Sequence, residues 1–169
     1  MPAVVPSRDH VRGAVDGRVT LVEYGDFQCP YCGDAYPVVH NLLEEYKWLR
    51  FVWRHLPQVD LHPRSEAAAQ ASEAAAAQDR FWEMHDRLFE NQHALTDEDL
   101  VAHAAALGLD AERFERELRE GVHAERVAED LRGGVAAGIP STPAFFIDGQ
   151  IHLGGSSELD LRQALEAAV

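Results

Sequence analysis

The chain has 169 residues, 46% of them hydrophobic, and a formal net charge of −14. That is the length of one domain with a sizeable core, and no apolar run approaches the span of a bilayer. The acidic balance argues against nucleic acid and against anionic membrane surfaces as partners, because both repel it.

Residues 1–18 carry Pro, Gly and charge and read as a lead-in to a single domain. They show no basic stretch followed by an apolar one, so no secretory signal is read and a cytoplasmic location is expected. Residues 19–24 are β-branched and apolar on both faces, as in a central strand. A helix is expected from Pro30 to Lys47, its stripe formed by Val38, Val39, Leu42, Leu43 and Tyr46. Pro37 lies inside it, removes one backbone N–H and crowds the carbonyl of Gly33, which predicts a kink. Residues 50–55 read as a second strand, parallel to the first because a helix connects them.

From Pro63 to about Gly138 the pattern is helical. Two helices are expected at 66–78 and 81–92. Thr96 and Asp99 form a capping-box pattern that opens a third, ended by Gly108. Asp110 caps a fourth with Phe114 and Leu118 inward. A fifth carries Val127, Leu131 and Val135, its end weakened by Gly133-Gly134. After Pro140, residues 144–147 and 150–153 read as a hairpin around Asp148-Gly149. Ser156 or Ser157 caps a last helix with Leu159, Leu161 and Leu165. The fold class is therefore α/β. A β-α-β unit and a β-β-α unit, residues 19–57 and 138–169, are interrupted by a helical insertion at 58–137.

The two cysteines of the chain, Cys29 and Cys32, lie three positions apart. Two cysteines cannot staple a fold; they make a local reactive pair or half of a metal site. Pro30 suits the first position of a helix, which leaves Cys29 at the N-cap, exposed and facing free N–H groups and the positive end of the helix dipole. A thiolate is stabilised there. Cys29 is expected to attack, and Cys32, one turn on, to resolve the mixed disulfide. The bland alternative is a pair of inert buried thiols.

Glu23 shares a strand face with Leu21 and Val19. It is either a buried acid of raised pKa that exchanges a proton with the resolving thiol, or a strand-end carboxylate reaching water. Pro140 and Pro143 break the helix and fix an extended entry to the hairpin, through a cis bond or an ordinary turn. The nine histidines show no helical metal-ligand spacing and read as surface or strand residues.

Residues 20–32, ending in Cys29-Pro30-Tyr31-Cys32, and residues 141–149, with Thr142-Pro143, resemble DsbA-like members of the thioredoxin superfamily. The similarity extends over nearly the whole chain. It implies a thioredoxin-like fold, thiol–disulfide exchange with protein substrates, and no cofactor or metal. It makes Pro143 the cis-proline beside the cysteines, Glu23 the buried acid and Pro37 the helix-kinking proline. It also implies that the backbone of Ser141 and Thr142 pairs with an extended peptide, with Phe27, Tyr31 and Ile139 as an apolar rim. Two departures stand out. The family's best-known members carry a secretory signal, and Pro-His between the cysteines. Pro-Tyr also occurs in glutaredoxins, which adds glutathione to a protein redox partner as a possible reactant. Two other functions fit the cysteine spacing: a Cu(I)- or Zn-binding module, and a peptide-binding scaffold with a secondary redox role.

Overall fold

The computed structural model describes residues 3–169, so residues 1 and 2 of the expected lead-in lie outside the described residues. In chain order the elements are β1 (His10–Gly13), β2 (Val19–Gly25), α1 (Pro30–Glu45), β3 (Leu49–His55), α2 (Ser65–Ala76), α3 (Phe81–Glu90), α4 (Asp97–Ala106), α5 (Ala111–Glu120), α6 (Ala124–Ala136), β4 (Ala144–Ile147), β5 (Gln150–Ile151) and α7 (Glu158–Glu166). The strands form a five-stranded sheet in the order β1-β3-β2-β4-β5. β2 and β3 run parallel, as the helix between them requires, and the other pairs are antiparallel.

β2 is central and buried along its whole length. Its alternation sorts two apolar clusters. Val19 and Leu21 join one with Leu42, Phe51, Trp53 and the insertion residues Met84, Leu88 and Leu100. Val22 and Tyr24 join the other with Val52, Leu56 and Phe146. The sheet is thus covered on both faces, and Glu23, by the same alternation, lies on the face of the larger cluster.

The expected cap residues act as caps. Thr96 and Asp99 make a reciprocal capping box on α4, Asp110 accepts from the Arg113 N–H, and Ser157 accepts from the Asp160 N–H. Each cap satisfies helix-end donors and contributes on the order of 1 kcal/mol. The hairpin turn has positive φ at both Asp148 (46°) and Gly149 (85°), the conformation that two-residue connections demand.

Several expectations are corrected. The lead-in is not featureless: residues 10–13 form β1 on the open edge of β3. Its sequence hides it, because a strand at the sheet edge needs little apolar patterning of its own. α6 runs through Gly133-Gly134 and ends at Ala136, two residues beyond the pair expected to weaken its end. A Cβ on Gly134 would lie 2.5 Å from Leu56 Cδ1, so the glycine lets the helix pack closely on the sheet. Val135 and Leu159 are 67% and 62% exposed, outside the core their spacing suggested. Among the histidines, His55 is a strand residue as expected, whereas His85 and His103 are buried helix residues whose ring nitrogens are hydrogen-bonded to the oxygens of Asp86 and Ala94.

Candidate functional site

Cys29 occupies the N-cap of α1, with Pro30 at its first turn. The Asp26 carbonyl accepts from the Cys29 N–H at 3.1 Å, and the Cys29 carbonyl accepts the first helical bond from Gly33 at 3.0 Å. The insertion reaches in to fix the same backbone: the Gln92 side-chain amide donates to the carbonyls of Phe27 and Cys29, both at 2.9 Å. Asp26, fully enclosed, accepts from the N–H groups of Gln28 and Gln58 and pairs with His62 Nδ1 at 2.8 Å. Neither Gln92 nor Asp26 stood out in the sequence. A lone Gln far along the chain carries no signal, and Asp26 reads as an ordinary loop residue.

The two sulfurs differ sharply. Cys29 is held down to about 5 by hydrogen bonding from the Cys32 thiol, against the opposing effect of burial, with further help from the Thr142 side chain and the Cys32 and Tyr31 N–H groups. Burial pushes the Cys32 thiol far up, and the hydrogen bond to Cys29 and the charges of Glu23 and Cys29 add to it. Both cysteines are free thiols. Facing them, the Thr142–Pro143 peptide bond is cis, and the Cys29 Sγ lies 3.6 Å from the Thr142 carbonyl.

Cys29 is only 2% exposed, which corrects the expected open sulfur. The Thr142 carbonyl lies against the sulfur, while Pro30 and Tyr31 beside it are exposed. Phe27 is also corrected. At 1% exposure it is core, stacked on Trp53 with ring centroids 4.9 Å apart, and cannot serve as a rim. The resemblance places it at the rim, but the insertion covers it with His85 and Phe89. Tyr31 is 70% exposed. Ile139 is half-buried against the second apolar cluster, and Ser141 is exposed beside the capping Thr142.

Glu23 lies on the larger-cluster face of β2, in register with Trp53 of β3 and Phe145 of β4. It is 3% exposed, and its Oε1 has no hydrogen-bond partner among the described protein groups. Burial, and then the neighbouring Cys29 charge, push its carboxyl up to about 8. The open choice between a buried acid and a solvent-reaching carboxylate falls to the buried one. Glu23 does not complete a metal site with the cysteines. Among the described residues, the group whose ligand atoms converge is His10, His55 and Glu73, on the other side of Trp53.

A family model described as thioredoxin matches residues 6–167. Among curated proteins, the Na(+)/H(+) antiporter NhaA 1 of Salinispora arenicola is 47% identical over 169 residues, covering 100% of this chain and 25% of that protein. NhaA 3 of Salinispora tropica is likewise 47% identical, over 100% of this chain and 25% of its own length. The chain therefore spans about a quarter of these relatives. Among solved structures, a thioredoxin-like oxidoreductase from Silicibacter pomeroyi superposes with a TM-score of 0.85 at 27% identity, over 95% of this chain and 92% of that one. Oxidised BdbD from Bacillus subtilis also gives 0.85, at 22% identity over 97% and 94%, a likeness of fold alone.

Proposed function

This chain belongs to the thioredoxin family, and on that premise we propose that it is a thiol–disulfide oxidoreductase that exchanges disulfides with protein substrates through Cys29 and Cys32. The observation that carries the reading is the asymmetry of the two sulfurs: one at a helix N-terminus held down to about 5, its neighbour pushed up, with the Thr142 carbonyl 3.6 Å from the first. A dithiol needed only for packing has no use for that difference.

In the reducing direction the Cys29 thiolate attacks a substrate disulfide, expels one substrate thiolate and forms a mixed disulfide. Cys32 then attacks the Cys29 sulfur. Its proton passes to Glu23, whose carboxyl, buried on the same side of the sheet, has a pKa close to neutrality. The bond to the substrate breaks and the Cys29–Cys32 disulfide forms. The oxidising direction is the reverse. Because Thr142 covers the sulfur, an incoming extended peptide has to take over that contact. The Ser141–Thr142 backbone supplies the pairing edge, with Tyr31 and Ile139 as its apolar border. A stabilised thiolate favours the dithiol form, so against glutathione the pair should lie on the oxidising side of one with ordinary thiols. In a cytoplasmic setting, net flow would still run toward substrate reduction.

No helix among the described residues is long and apolar enough to cross a membrane. The activity proposed is therefore that of this unit, and the ion transport in the relatives' names is not assigned to it. Replacing Cys32 by Ser and challenging the protein with a disulfide-bonded peptide tests the reading. A stable mixed disulfide on Cys29 is expected, and its absence under oxidising challenge counts decisively against exchange.

A further inference from the structure

Two buried polar atoms without protein partners line the same crevice. One is Glu23 Oε1. The other is Nε2 of His85, a residue of α3 that is 3% exposed. The crevice between β2, α1 and α3 is walled by Val39, Phe51 and Phe89, and opens past Arg12 toward the exposed His40. Its free space is about 10 Å³, roughly the room of one water.

The hydrogen bonds fix what each atom offers. His85 Nδ1 lies 2.9 Å from Asp86 Oδ1. An ionised carboxylate only accepts, so the ring proton sits on Nδ1 and Nε2 presents a lone pair. Asp86 is itself held by both Arg12 nitrogens, at 2.9 and 2.7 Å. Burial keeps Glu23 in its acid form at neutral pH, and it offers an O–H. A proton donor and a bare imidazole nitrogen thus face one water-sized space, with the imidazole oriented from behind by a carboxylate, as in hydrolytic triads.

We propose that His85, oriented by Asp86, is the proton carrier that follows Glu23, receiving through one bound water the proton that Glu23 takes from Cys32. The inference rests on the exchange reading above. Cys32 thiol, neutral Glu23, neutral His85 and the Cys29–substrate disulfide become the Cys29–Cys32 disulfide, neutral Glu23, the His85 imidazolium and a substrate thiolate. The electron pair of the broken S–S bond leaves on the substrate sulfur. As Glu23 takes the Cys32 proton on one oxygen it gives its own from the other to the water, which gives one to His85 Nε2, and the imidazolium afterwards releases that proton to solvent along the crevice. The imidazolium is short-lived, because burial holds the pKa of His85 at about 4, with Asp86 opposing that effect and Arg12 and His55 adding to it. Tyr36 and His40 of α1 are the remaining titratable groups on the crevice wall.

The test is a single turnover of the whole protein carrying a coloured aromatic thiol as a mixed disulfide on Cys29. Attack by Cys32 releases the colour, and the rate is read across neutral pH. His85→Phe should slow release about tenfold, a modest share of the usual general acid–base contribution, and should change its pH profile. It should also move the infrared carbonyl band of protonated Glu23 to higher frequency. His85→Gln keeps a polar partner for the water but carries no proton, so the band should stay while the rate falls. Where removing the ring prevents folding, Asp86→Asn retains it and should give a smaller slowing with the same altered profile. Folded His85 variants that release thiol at the wild-type rate at every pH overturn the relay and leave the exchange reading intact. A wild type that releases none overturns the exchange reading, and the relay with it.

Discussion

Glu73 on α2 and Glu23 on β2 are both enclosed, at 6% and 3% exposure, yet their surroundings act on them in opposite senses. Around Glu73 every demand is met. Burial alone would raise its pKa, but His10 Nε2 and His55 Nε2, both 2.7 Å from Oε1, outweigh that and hold the carboxyl well below the usual range. Around Glu23 no protein group meets Oε1, and burial followed by the Cys29 charge raises the carboxyl to about 8. The satisfied carboxylate ties α2 to β1 and β3. The unsatisfied one keeps a proton ready beside two sulfurs. A buried polar group with every bond made holds a fold together, whereas one left short is available for chemistry.

The largest effect that follows is on stability. Glu73→Leu strands two imidazoles in the interior and should cost about 3–5 kcal/mol. Glu23→Leu removes an unmet polar group and should stabilise the protein at neutral pH by roughly 1–2 kcal/mol, while crippling resolution by Cys32. Urea unfolding of both variants measures the pair, and equal losses would break the contrast.

The next effect is on pH dependence. Between its ordinary value of 4.5 and about 8, folded Glu23 keeps a proton that the unfolded chain has released, so stability falls as pH rises through that window. Cys29 works the other way. From about 5 to 9.0 the folded state lacks a proton that the unfolded chain holds, so stability rises with pH. In the dithiol form the two slopes oppose each other. In the disulfide form Cys29 no longer titrates and its charge no longer raises Glu23, so a falling slope set by the burial of Glu23 stands alone and ends at a lower pH than in the dithiol form. The stability of the dithiol relative to the disulfide form should therefore grow by up to about 1.4 kcal/mol per pH unit through the overlap of the two windows. Glu23→Gln should flatten the disulfide form. Glu73 has the depressed carboxylate, so its contribution is present above the ordinary value and is lost as pH falls toward the folded one. Denaturant midpoints of both redox forms against pH sharpen the comparison, and a disulfide form whose stability rises from pH 5 to 8 would refute it.

What could be read in the sequence was what neighbours along the chain decide. Cys29 at the N-cap, Pro30 after it, the Thr96–Asp99 box, the Asp148-Gly149 turn and the side of β2 that Glu23 faces all depend on spacings of a few residues. Pro143 drew its role from the resemblance, and the Thr142–Pro143 bond is cis. What escaped depends on distant contacts. β1 is made by the edge of β3, the cover over Cys29 by Thr142, and the burial of Phe27 by an insertion that begins some thirty residues later. His85 escaped because what gives it a role is distant: Asp86 beside it is held by Arg12, 74 residues away, and the crevice it lines is shared with Glu23 of β2. The pairing of Glu73 with His10 and His55 spans 63 and 18 residues, beyond any helical or strand period.

The smallest expected effect separates the Glu73 cluster from a metal site. His10, His55 and Glu73 present ligand atoms within 4.8 Å of one another, a geometry that invites zinc. The tautomer of His55 forbids it. Trp53 Nε1 donates to His55 Nδ1 at 3.2 Å, and an indole nitrogen has only a hydrogen to give. Nδ1 therefore carries the lone pair, and the ring proton sits on Nε2, the atom that faces Glu73. To bind a metal, Nε2 would have to lose that proton to Nδ1, setting two N–H groups against each other in a dry interior. With Cys29 and Cys32 both changed to Ser to remove the competing thiolates, zinc should leave the melting temperature unmoved. A ligand at a hundred times its Kd would add about 2.7 kcal/mol, a shift of several degrees at this size. Trp53→Phe deletes the donor and frees the ring to switch, so in that background zinc should raise the melting temperature. Stabilisation of the Trp53 parent by zinc would mean that this carboxylate is a ligand rather than a tie, and the contrast with Glu23 would have to be drawn elsewhere.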